Sequence, residues 1–179
     1  GGGSSVVVYP QYPILSSQGV NRAWGTGYTT GMGLQLRLWT QNNFGQILLY
    51  SPRGGALYAW DPGTGVTPAY TTRGVLVSGT DVPAYMNQIL VSDATRIAIA
   101  FGCSDYGPYG TAQDPMLIRW SAQEDYTDWT PDVTNTAGSY RLSHGSFIMQ
   151  ALLTRQEILV WSDAALYSMQ YQGAPYIYS

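Results

Sequence analysis

Gln46-Ile47-Leu48-Leu49-Tyr50-Ser51, a turn, then Ala56-Leu57-Tyr58-Ala59-Trp60 recurs near the far end of the chain. There it reads Glu157-Ile158-Leu159-Val160-Trp161-Ser162, a turn, then Ala165-Leu166-Tyr167-Ser168-Met169. Each copy is two short apolar runs joined by turn residues, the signature of a strand hairpin. Between them, Gln88-Ile89-Leu90-Val91-Ser92, a turn, then Arg96-Ile97-Ala98-Ile99-Ala100 reads as a third copy. The first and middle copies start 42 residues apart, within the blade spacing of β-propellers. The next interval is 69, which fits if 102–115 and 124–143 carry inserted loops. The repeat predicts an all-β fold of antiparallel, blade-like sheets in a partial β-propeller of about three blades. Three blades do not close a ring, so further polypeptide or other chains are expected to complete it.

Outward from these hairpins the same logic extends. Leu34, Leu36 and Leu38 alternate with Gln35 and Arg37, the period of a half-buried strand. Further strands are predicted around Met116–Trp120 and Phe147–Leu153, whereas 63–83, rich in Gly, Thr, Val and Pro, reads as a long loop. No segment keeps the three-four apolar spacing of a helix over ten residues. Residues 1–33, punctuated by Gly25, Gly27 and Gly31, read as a Gly/Tyr-rich arm or linker that orders against a partner. The propeller-like domain is expected over 34–179. The chain opens on Gly1 without Met and ends on residues that read as mid-fold, so it reads as part of a longer protein.

Composition narrows the function classes. Charged residues make up 11% of the 179, against roughly 25% in a typical soluble domain. All eight basic residues are Arg, with 15 Tyr and 6 Trp beside them. A surface poor in charge and rich in Tyr, Trp and Arg is what protein interfaces prefer, so an obligate assembly is expected. With a net charge of −3 and single, scattered Arg, tight binding to nucleic-acid phosphates is disfavoured. No run approaches the roughly 18 apolar residues of a membrane span, and Val6-Val7-Val8 is too short for a signal sequence. Cys103 stands alone and reads as a small buried thiol.

Chemistry-bearing motifs are few. Ile118-Arg119-Trp120-Ser121-Ala122-Gln123-Glu124-Asp125 with Asp128-Trp129-Thr130-Pro131 is the densest polar-aromatic run. It reads either as a sugar platform or, preferably, as a strand ending in a turn with Trp120 and Trp129 in packing roles. Glu124, Asp125, Asp128 and Asp132 could supply a glycosidase pair, yet they fall where turns favour acids. Ser104-Asp105-Tyr106-Gly107 lacks the spacing of a sialidase Asp-box turn. His144 is the only histidine, and Ser143, Ser146 and Asp163 could join it, but no nucleophile-elbow motif occurs. One His and one Cys leave too few soft ligands for zinc. Gly25-x-Gly27 precedes no strand-to-helix turn and is no dinucleotide fingerprint. No catalytic residue, metal or cofactor is therefore predicted. Trp39, Arg53, Trp60, Arg119, Trp120, Trp129, Arg141 and Trp161 are the candidate interface or packing residues.

Several segments carry a family resemblance. Leu38-Trp39-Thr40-Gln41-Asn42-Asn43-Phe44-Gly45-Gln46-Ile47-Leu48, with Pro52-Arg53-Gly54-Gly55 and Tyr58-Ala59-Trp60-Asp61, resembles a block in tail proteins of short-tailed bacteriophages. Ile118-Arg119-Trp120-Ser121, Trp129-Thr130-Pro131, Asn135-Thr136-Ala137-Gly138, Arg141-Leu142, Ile158–Asp163 and Gly173-Ala174-Pro175 continue it, and Trp24-Gly25-Thr26-Gly27-Tyr28 matches its lead-in. The likeness spans about 20–179 and is similar to the packaged-DNA stabilisation proteins. It implies a virion structural protein of the tail nozzle or hub, in a ring commonly of six copies around the DNA exit channel. The implied partners are copies of itself, adjoining tail, adaptor and portal proteins, and DNA in transit. Such relatives carry further blades beyond the position of Ser179, a departure that leaves ring closure open here. The alternative expectation is a tail-associated carbohydrate- or receptor-binding module displaying Trp and Tyr.

Overall fold

A computed structural model describes residues 38–63, 74–107, 112–174 and 176–179. The arm assigned to 1–33 and most of the alternating run from Leu34 lie outside the described residues. Within them the protein is all-β, with eleven named strands in three antiparallel sheets.

The first sheet runs in chain order through β1 (Trp39–Phe44), β2 (Ile47–Pro52), β3 (Tyr58–Trp60) and β4 (Val75–Leu76). The second runs likewise through β5 (Gln88–Ser92), β6 (Ile97–Phe101), β7 (Leu117–Trp120) and β8 (Gly138–Arg141). The third is β9 (Ile148–Leu153), β10 (Ile158–Ser162) and β11 (Leu166–Met169), with β10 central. Each sheet is thus a meander whose neighbours in sequence are neighbours in space, the cheapest connection for antiparallel strands. Gly45, at φ +64°, supplies the left-handed residue that lets Phe44 and Ile47 pair across a two-residue turn.

The middle sheet is covered on both sides. Every residue of β6 and β7 is buried, and the alternation of strand side chains divides them between two cores. Ile89, Val91, Ala98, Ala100 and Leu117 meet Phe44, Leu49, Leu57 and Trp129 in one core. Ile97, Ile99, Phe101, Ile118 and Trp120 meet Ile148, Ala151, Ile158, Val160 and Met169 in the other. A sheet buried on both faces needs near-continuous apolar strands, which is why β6 reads Ile-Ala-Ile-Ala-Phe without alternation. Small residues on one side of it let the first sheet approach. Gly138 works similarly in β8: a Cβ there would come within 2.7 Å of the Trp120 ring.

The leading strands of the three sheets lie side by side, β1 against β5 and β5 against β9. Side chains fasten these leading strands, and just before β5 the backbone of Met86 bridges to the β2–β3 turn, accepting Gly54 N–H at 2.7 Å and donating to Gly55 O at 3.0 Å. Thr40 Oγ1 accepts the Ile89 N–H at 3.1 Å, and the Gln88 carboxamide clasps Ala151, donating to its C=O and accepting its N–H, both at 2.7 Å.

Three expectations change. The loop assigned to 63–83 contains β4, and the insertion assigned to 124–143 contains β8. The middle repeat copy is out of phase: 46–51 and 157–162 cover second strands, whereas 88–92 is a leading strand and 97–101 the second. The equivalent second strands begin at Ile47, Ile97 and Ile158, 50 and 61 residues apart. The apolar content of β5 matches that of β2, so composition alone could not separate them. Within the run from Leu34, the described part starts at Leu38, which is exposed, and the strand begins at Trp39.

Candidate functional site

The candidate residues separate into a buried group and a surface group. Arg119 is 1% exposed on β7 and forms no ion pair among the described residues. Its Nη1 donates to the carbonyls of Ser104 (3.0 Å) and Asp105 (3.4 Å), and its Nη2 to those of Asp81 (2.5 Å) and Trp129 (3.5 Å). Its Cζ lies 3.8 Å from the centroid of the Tyr106 ring, a cation–π contact strengthened by desolvation. A planar fork of donors suits this task, since it satisfies several loop carbonyls that burial would otherwise leave orphaned. The Asp81 carboxylate is engaged by Gly107 N–H and Thr130 Oγ1. Arg119 is therefore a clamp on three loop segments.

Trp129 is fully buried and donates its indole N–H to Tyr126 O at 2.8 Å, and Trp120 is 6% exposed and donates to Thr136 O at 2.8 Å. Neither presents a ring face to solvent, and Trp120 instead takes an edge contact from Tyr178 at 5.3 Å. The sugar-platform arrangement is absent at both positions.

The nearby acids are turn fasteners. Asp125 accepts from Thr127 N–H and Oγ1, and Asp132 from Thr134 N–H and Oγ1. Asp128 accepts from Thr80 Oγ1, Asn135 Nδ2 and Thr130 N–H. Hydrogen bonding, from Thr80 above all, holds the Asp128 carboxyl below its ordinary range, and the Thr134 bonds do the same to Asp132. A glycosidase acid needs the opposite shift.

His144 Nδ1 lies 3.0 Å from Ser143 Oγ, whereas Asp163 is turned to the backbone of the same loop, accepting Ser146 N–H at 2.7 Å. That bond lowers the Asp163 carboxyl and closes the β8–β9 connection onto β10. Cys103 is buried, its thiol 3.6 Å from Leu117 O, and desolvation pushes it up to about 12 against the lowering influence of Arg119. Among the described residues no group of three or more potential metal ligands converges.

The surface group lies mainly on the first and third sheets, with Arg141 on the edge strand β8 of the middle one. Trp39 is 48% exposed on β1 and begins an aromatic row, 6.0 Å from Tyr50, which stacks at 5.6 Å on Tyr58. Trp60 stands across from Leu48 on the same sheet, and exposed Arg53 occupies the β2–β3 turn, its N–H bonded to Leu38 O. Arg141 pairs with Asp114 at 2.6 Å on an exposed edge. Trp161, half-buried on β10, lines a groove of about 460 Å³ with Met149, Gln150, Leu152 and Ser162.

Sequence reasoning missed Thr40, Gln88 and Gln150. The signal was a polar residue at one fixed position of each leading strand, visible only with the repeat in its proper phase. Comparison of the chain with protein-family models, with curated proteins and with solved structures returns no match.

Proposed function

We propose that this chain is a structural protein of a short-tailed phage virion, its three sheets acting as consecutive blades of a β-propeller in the tail nozzle or hub. The observation supporting it is the stacking of three meanders with their leading strands side by side, each leading strand fastened to the next by one side chain. That is how propeller blades are arranged about an axis, and it agrees with the sequence likeness to phage tail proteins. In this role the protein assembles rather than catalyses. Copies form a ring with adaptor and portal neighbours, and a wall poor in cations lets DNA pass without the counterion release that drives tight binding.

Burial of Trp120 and Trp129 weighs against the carbohydrate-module reading, which needs displayed rings. Cryo-electron microscopy of intact virions tests the proposal. Density for the chain in a closed ring at the tail channel is expected; peripheral-fibre density would favour receptor binding, and none in the virion would overturn the reading. A DNA mobility-shift measurement at physiological salt is expected to show no tight complex.

A further inference from the structure

We draw no further inference here: the strongest candidate, the exposed forward face of the third sheet around Gln150, Leu152 and Leu166 with its groove of about 460 Å³ beside Trp161, is an unpartnered apolar face, and nothing in the structure shows what covers it.

Discussion

The middle and third sheets carry nearly the same forward face, yet one is a core and the other a surface. Gln88, Phe101 and Ile118 lie under β9 and its neighbours, while Gln150, Trp161 and Leu166 look outward. The difference teaches that burial here is conferred by what comes next in the stack and not by side-chain type. Hydrophobic composition marks a face as dockable, and only the neighbour makes it contribute to stability.

Substitutions at equivalent places measure that difference. Phe101→Ala should cost the isolated chain about 3–5 kcal/mol in urea unfolding, because it empties a site closed on both sides. Gln88→Ala should cost about 1–2 kcal/mol, since two hydrogen bonds to Ala151 vanish and leave that backbone edge unpaired. Asp128→Ala should cost about 1 kcal/mol at neutral pH. Because the Asp128 carboxyl is held below its ordinary range, its contribution is present above that range and lost as pH falls through the folded value, so variant and parent should converge in acid. Trp161→Ala, though a large truncation, should stay below about 1 kcal/mol at dilutions where the chain is monomeric. A Trp161 loss as large as that of Phe101 under those conditions would erase the contrast between the sheets.

The buried side of the comparison has an alkaline test as well. Cys103 rises from an ordinary 9.0 to about 12 on folding, so the folded state holds the proton more tightly. Its stabilising contribution is complete below pH 9 and is lost as pH climbs towards 12. Cys103→Ala should flatten that part of the stability profile, and a disulfide reagent should label the parent thiol only as fast as the protein opens.

What was legible in the sequence followed apolar density. β2, β3, β5, β6, β7, β9, β10 and β11 announce themselves because at least one face of each is packed. β1 does not: Trp-Thr-Gln-Asn-Asn-Phe is largely polar, and it forms a strand because β2 pairs with it and β5 packs on it. β4 and β8 are edge strands of two and four residues with exposed side chains, Gly138 aside, too short for a period-two pattern to show. The candidate residues divide similarly. The packing role of Trp120 is foreshadowed by the apolar strand residues Leu117 and Ile118 before it, whereas the polar neighbours of Trp129 give no sign of its full burial, and the clasp of Arg119 on four carbonyls depends on loops brought together from 81, 104–105 and 129. Gln88 and Gln150 were silent because one amide in a strand carries no periodicity.

The joints between leading strands consist of one hydroxyl or one carboxamide each, not a continuous backbone ladder. Mechanically each is a pin, not a weld. A ladder along the leading strands would dictate their spacing and twist, but a pin leaves the angle between the sheets to the packed faces and to the few backbone bridges elsewhere, Gly55 with Met86 and Thr80 with Asp128. Within each sheet the strand ladders are unbroken, so the joints are where one sheet ends and the next begins.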